Sequence, residues 1–262
     1  MLEAVRLSAF YRLVALECVD STSEEARRLA AAGAAEGTLV WAHEQTAGRG
    51  RRGRPWVSGP GNLYCSLLLR PTWPAHEAMQ MGFVTGVAVA DAIAAALPRH
   101  AQVACKWPND VLVEGRKVTG VLLESEASAD GGLDWLAIGV GINIAHHPGD
   151  DVAAYPATSL HAEGGEGVTV DAMLQSYCNR LQSWMVTWRR LGFAAVRQAW
   201  LRRAFGLGRR ITVRLENETL AGTFVTLDDA GALVLGGDEG ERRITAGEVF
   251  PATAVGTAAP AH

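Results

Sequence analysis

Nine positions from Gly48 to Trp56 hold four arginines and three glycines, and no regular element accommodates that composition. Neighbouring guanidinium groups repel one another, and each glycine adds backbone entropy that ordering must overcome. Pro55, Gly59, Pro60 and Gly61 follow at once, so no helical run can begin here. The segment is therefore a loop after a strand predicted over Thr38 to Glu44, with Trp56 as an apolar anchor at its far end. Such a loop makes sense if an anionic ligand neutralises the arginines and orders the backbone, and it is expected to move freely without one. A solvated basic turn is the plainer alternative.

Two phosphate-binding patterns fit this stretch as strings and fail on context. Gly48-x-Gly50-x-x-Gly53 has dinucleotide spacing, yet that fingerprint needs a helix to begin at its glycines. Gly48 and Gly53 have P-loop spacing, but Arg54 and Pro55 stand where Lys and Ser/Thr belong.

The rest of the chain narrows the class. At 262 residues, 48% hydrophobic and 20% charged, it suits a large globular domain followed by a small one. A net charge of −4 argues against general nucleic-acid binding, because the basic charge is local. No signal peptide is evident, and no apolar run approaches the roughly 18 residues that cross a bilayer. Cys18, Cys65, Cys105 and Cys178 are scattered without zinc spacing and read as reduced, mostly buried thiols of a cytoplasmic protein.

Taken in order, a strand is predicted over Phe10 to Val19, then a helix from Asp20-Ser21-Thr22-Ser23 through Ala32 with Gly33 closing it. Ser21 with Glu24, or Thr22 with Glu25, has capping-box spacing. The same hydroxyls and free N–H groups could instead bind a polar ligand. A strand over Asn62 to Arg70 and a long helix over Met81 to Leu97 follow. Gln102 to Lys106, Val111 to Val113 and Lys117 to Glu124 read as strands, with a hairpin turn at Glu114-Gly115-Arg116. In the strand over Leu133 to Ile144, Gly139 and Gly141 mark close backbone approach. His146 to Val168 reads as a loop, and helices are expected over Val170 to Leu191 and Phe193 to Phe205. From Gly208, short alternating strands (Arg210 to Leu215, Leu220 to Leu227, Ala232 to Leu235, Arg242 to Thr245) suggest a small β-barrel or sandwich. Gly236-Gly237 reads as one of the intervening turns, and the tail after Pro251 lacks any apolar pattern.

Lys106-Trp107-Pro108-Asn109-Asp110 puts a cation, an aromatic face, an amide and a carboxylate on one turn. An amide and a carboxylate here could position a ribose, a base edge or a magnesium ion. A strand connection with a buried Trp and a capping Asp is the plainer reading. Lys117 should return near Asp110 across the hairpin, which by itself would be a surface ion pair worth little. Glu124 reads as an exposed edge carboxylate before a metal ligand.

Together these patterns resemble biotin protein ligase. The resemblance rests on Asp20-Ser21-Thr22-Ser23, on Gln45 with Gly48 to Arg54 and Trp56, and on Lys106 to Asp110. Arg116-Lys117-Val118-Thr119-Gly120-Val121 and Gly139-Val140-Gly141-Ile142-Asn143 extend it in the family's order and spacing. It implies an α/β (α+β) fold: a mixed-sheet catalytic domain (1–206) related to class II aminoacyl-tRNA synthetases, an SH3-like barrel (207–251) and a tail (252–262). It implies ATP-dependent activation of biotin as biotinyl-5'-AMP, with magnesium, then transfer to a lysine of the biotin carboxyl carrier protein of acetyl-CoA carboxylase or a related carboxylase. The barrel is expected to support this without supplying its main chemical groups. Neither DNA nor membrane is an implied partner.

By the same resemblance, Ser21, Thr22, Ser23 and Gln45 would contact the biotin rings. Gly48, Arg49, Gly50, Arg51, Arg54 and Trp56 would close over biotin and the adenylate, with Gly120 beside them. Lys117 and Arg51 would act on the reacting anions, and Lys106, Asn109, Asp110 and Asn143 would lie toward the nucleotide. No metal ligand is assigned. The family commonly has Asn where Ser23 stands. Longer members begin with a helix-turn-helix domain, so this sequence is expected to be the short form without a repressor role. A lipoate or octanoate transferase or ligase is the nearest alternative, and a nucleic-acid binder using the arginine loop is one from another class.

Overall fold

The computed structural model of the protein describes residues 5–129, 131–149, 155–238 and 240–252. The tail expected after Pro251 lies, except for Ala252, outside them.

Strand β1 (Arg12–Val19) leads through helix α1 (Thr22–Ala31) to β2 (Thr38–Gln45), and the two strands pair in parallel. All other pairings in the main sheet are antiparallel: β3 (Leu63–Leu69), β4 (Val103–Lys106), β5 (Asp110–Val113), β6 (Arg116–Ala127) and β7 (Leu133–Ile142). The sheet runs β1-β2-β3-β7-β6-β5-β4. Glu114 and Gly115, at φ 49° and 74°, turn β5 into β6 with the double positive φ of a type I′ hairpin.

Helix α2 (Gln80–Ala96) is apolar almost all round, as suits a helix buried on most of its surface. With the turn before it, Ala75–Ala96 is long and apolar enough by length and composition to cross a membrane, contrary to the expectation that no run approaches that length. Here 67% of its most apolar window is buried, packed on the sheet and on α3 (Val170–Leu191). Helix α4 (Phe193–Leu201) ends earlier than expected, because a run of turns carries Arg202 to Gly208 into the second sheet.

That sheet holds β8 (Arg210–Arg214), β9 (Thr219–Leu227), β10 (Leu233–Gly237), β11 (Gly240–Ile244) and β12 (Glu248–Pro251), antiparallel throughout in the order β11-β10-β9-β8-β12. Gly236 and Gly237 lie within β10, not in a turn, and β12 was not expected at all. The two sheets are joined through side chains. Fully buried Trp107 donates from Nε1 to the carbonyl of Gly231 at 3.1 Å, and Arg197 to that of Leu227 at 2.7 Å. Burying one such large side chain contributes about 1.5–3 kcal/mol. The four cysteines are free thiols, Cys18 exposed and the rest buried.

Candidate active site

The arginine loop is a tight excursion from the sheet. Trp56 N–H donates to the carbonyl of Gly48 at 2.9 Å, and Gly50 N–H to that of Arg54 at 2.7 Å. Between them Arg51–Gly53 makes one helical turn, with Arg52 exposed at φ 58°. Trp56 seats the loop on the sheet. Gly120 and Gly141 face each other across β6 and β7, and a Cβ on Gly141 would come within 2.6 Å of the Trp56 indole. Close approach at Gly139 and Gly141, expected from their place inside a strand, is thus what the fold uses; at Gly139 the neighbour is Ser23 Oγ.

The repulsion among the arginines is offset by groups from four other elements. Arg49 is paired with Glu24 of α1 and, at 3.2 Å, with Glu124 of β6. Arg54 pairs with Glu248 of β12 at 2.5 Å. Arg51 donates to Asn109 Oδ1 at 3.1 Å, and Asn109 donates onward to the carbonyl of Val121 at 2.6 Å. Burial pushes the Arg51 guanidinium below its ordinary pKa, against the pull of Asp110.

Under the loop lies a cavity of about 390 Å³. Its walls hold every sequence-predicted site residue except one: Ser21, Thr22, Ser23, Gln45, Arg49, Gly50, Arg51, Arg54, Trp56, Lys106, Asn109, Asp110, Lys117, Gly120 and Asn143. Gly48 is the exception. It is buried behind the wall, where a Cβ would lie 2.4 Å from Ser58 Oγ and 2.6 Å from the Trp56 carbonyl.

Neither capping box at the start of α1 forms. The Ser21 side chain makes no cap bond, Glu24 binds Arg27 and Arg49, and Glu25 binds Arg28. The Thr22 hydroxyl turns to Gln45 Oε1 at 3.1 Å, so the hydroxyls serve the cavity floor. Hydrogen bonding from Arg28 holds the preceding Asp20 carboxyl well below the usual range.

Asp110 is the charge centre. Its carboxylate lies 2.8 Å from Lys106 Nζ and 2.7 Å from Lys117 Nζ, with only 8% of its side chain exposed. This corrects the expectation of a surface pair: β5 is buried along its whole length, and the hairpin folds Lys117 inward. Desolvation raises the Asp110 pKa, but the two ammonium groups outweigh it and hold the carboxyl at about 2. Lys106 also sits 4.3 Å from the centre of the Tyr155 ring, and Lys117 5.4 Å from that of Trp56. Asn143 donates to the carbonyl of Thr158 at 3.0 Å, pinning the segment that brings Tyr155 and Ala157 to the cavity. Glu124, read as an edge carboxylate, is a partner of Arg49.

Sequence reasoning missed Tyr155, Glu248 and Phe250, all in the cavity wall. The alternation of Glu248 and Phe250 about fully buried Val249 was the signal for their strand. Through it the second sheet contributes a carboxylate and an aromatic ring to the wall.

Residues 55–202 match the Biotin/lipoate A/B protein ligase family, and residues 206–250 match the biotin protein ligase C terminal domain. The chain is 42% identical over 234 residues to the biotin--[acetyl-CoA-carboxylase] ligase of Paracoccus denitrificans, covering 88% of this chain and 97% of that one. The chain belongs to the biotin protein ligase family. Among solved structures of such ligases, that from Aquifex aeolicus in complex with biotin and ATP has 30% identity and a TM-score of 0.77, covering 91% of this chain and 97% of that one. The Leishmania major biotin protein ligase in complex with biotinyl-5-AMP has 27% identity and a TM-score of 0.62, covering 90% and 99%. In this ligase, then, one cavity joins a floor of hydroxyls from α1 to a rim of cations from the loop and β6.

Proposed function

We propose that the protein joins biotin to ATP, releases pyrophosphate, and passes the biotinyl group from biotinyl-5'-AMP to a lysine of a carboxylase biotin carrier domain. One observation carries the site assignment: Lys117 and Arg51 line the same cavity as the hydroxyls of Ser21, Thr22 and Ser23. The hydroxyls suit a small polar ring system, and the cations suit the carboxylate and phosphate that must meet beside it.

A carboxylate oxygen attacks the α-phosphorus, the bond to pyrophosphate breaks, and a mixed anhydride results. The amine of the acceptor lysine then attacks the acyl carbon, AMP leaves, and an amide remains. The first step brings two anions together, and fixed cations lower its barrier. At an effective dielectric near 20, one charge pair at 4 Å is worth about 4 kcal/mol. Lys117 is the group for this work: its ammonium lies at the cavity with 26% of the side chain exposed, anchored on one side by Asp110. Arg51, held by Asn109, closes the anhydride off from water.

In this reading Ser21, Thr22, Ser23 and Gln45 hold the biotin rings, while Arg49, Gly50, Arg54 and Trp56 close over the acyl side. Lys106, Asn109, Asp110 and Asn143 lie toward the nucleotide, and the C-terminal barrel domain takes residues 207–251. Magnesium would arrive with the nucleotide as its counter-ion and neutralise the departing pyrophosphate. Among the described residues no group of three or more His, Cys, Asp or Glu could hold a metal. The carboxylates in the cavity wall, Asp110 and Glu248, are both bound to Lys or Arg. The free thiols fit a cytoplasmic location.

The test is mass spectrometry of a carboxylase carrier domain after incubation with the protein, biotin, ATP and magnesium. One biotinyl group on one lysine is the expected product. An unmodified carrier, or equal transfer of lipoate in competition, would overturn the reading.

A further inference from the structure

Five polar side chains at and beneath the cavity floor form one continuous hydrogen-bond chain, and a backbone N–H sets its direction. The backbone N–H of Thr22 donates to Gln45 Oε1 at 2.8 Å. An N–H can only donate, so the amide oxygen of Gln45 must face Thr22 and its nitrogen must face away. The Thr22 hydroxyl, 3.1 Å from the same oxygen, therefore gives its hydrogen there. Ser66 Oγ then donates to Thr22 Oγ1 at 2.9 Å, which leaves Ser23 as donor in its 3.1 Å bond to Ser66. On the other side, Gln45 Nε2 donates to Ser58 Oγ at 2.9 Å, and Ser58 to the carbonyl of Trp56 at 2.8 Å. Every hydroxyl hydrogen of the chain is used inside the protein.

Two glycines leave room for it. A Cβ on Gly139 would come 2.7 Å from Ser23 Oγ at one end. A Cβ on Gly48 would come 2.4 Å from Ser58 Oγ and 2.9 Å from Gln45 Nε2 at the other. Gly48 stands outside the cavity wall, and sparing this chain is its place in the site.

We propose that the chain fixes the polarity of the floor, with Ser66 and Ser58 as positioning residues that do not touch the ligand. Both are buried and neither lines the cavity. Because their hydrogens point inward, Ser23 and Thr22 turn only lone pairs to the cavity, and the second N–H of Gln45 Nε2 is the chain's remaining donor. That pattern takes a ligand edge with N–H donors beside a carbonyl acceptor, which is the edge of a cyclic urea. The inference rests on the biotin reading above and names what the floor selects: a ring with its N–H groups free.

Calorimetry on the full chain without ATP tests it, using biotin and a biotin methylated on one ring nitrogen. Wild type should prefer biotin by at least ~100-fold, since a site built around an N–H rejects the analogue lacking it. Ser66→Ala frees the Ser23 hydrogen to turn toward the ligand. It should weaken biotin on the order of tenfold and the analogue far less, as a mispaired polar group predicts. ATP affinity and thermal midpoint serve as controls for a merely structural effect. Should Ser66→Ala fail to fold, Ser58→Ala, which releases the Gln45 amide, should narrow the preference in the same direction. Unchanged affinities, or equal weakening of both ligands and ATP, would overturn the proposal. A wild type that binds neither form of biotin would instead overturn the functional reading beneath it.

Discussion

The ammonium of Lys117 lies 2.7 Å from the carboxylate of Asp110, and Lys106 holds the other oxygen of that carboxylate at 2.8 Å. Two cations share one buried anion, so the cluster keeps an excess positive charge beside the cavity. Lys117, more exposed than Lys106, is the one able to offer it to a ligand.

Replacing Lys117 with Ala should lower pyrophosphate release in the presence of biotin and ATP by on the order of 100-fold or more, the usual scale for removing one electrostatic stabiliser. Asp110 keeps its bond to Lys106, so the fold should survive. Release at near wild-type rate from a protein with an unchanged thermal midpoint would refute the role given to Lys117.

Asp110→Asn leaves Lys106 and Lys117 without their shared partner, and the expected loss of stability is about 3–5 kcal/mol at neutral pH. The sign of the pH dependence follows from the folded carboxyl being held at about 2, below its unfolded value. Its contribution is complete above roughly pH 4 and fades as the pH falls toward 2. Thermal midpoints of wild type and variant, measured from pH 6 downward, should differ by a constant amount and then converge below about pH 4. A gap that widens on acidification would contradict this.

At Gly141 even one methyl group meets the indole of Trp56 at 2.6 Å, against the backbone of a buried strand. Gly141→Ala should therefore unseat Trp56, costing about 1–3 kcal/mol as overpacking does. The loop loses its anchor at the same time. Unfolding by urea gives the first effect, and trypsin cleavage after Arg49, Arg51 or Arg52 gives the second. A variant as resistant as wild type to both would show that the indole moves aside freely.

Arg51→Gly removes both the cation and the bond to Asn109 Oδ1. Adenylate retention should weaken more than the first chemical step. The escaped adenylate should then biotinylate lysines of an unrelated protein in the same tube. Bystander labelling no higher than with wild type, together with loop proteolysis equal before and after ligand, would sink the account.

How much of this was legible beforehand depended on the range of the interactions. Gly48 to Trp56 declared itself a loop because charge repulsion and glycine entropy are local, and Pro55 to Gly61 barred a helix. Gly139 and Gly141 marked close contact because a glycine inside an apolar strand gives up packing without a local reason. The capping boxes misled, since spacing alone cannot show that the Thr22 hydroxyl has a better partner in Gln45. Tertiary structure alone decided that Arg54 meets Glu248 and Arg49 meets Glu124, as charges distant in sequence pair only once the sheets are docked. It also buried Asp110 between two lysines, turning an apparent surface pair into a charge centre through desolvation. Ser66, one small polar residue inside the apolar run Leu63–Leu69, carried no signal of its own. Its meaning comes from Thr22 and Ser23 arriving over it, because a hydroxyl has no direction until its neighbours assign one.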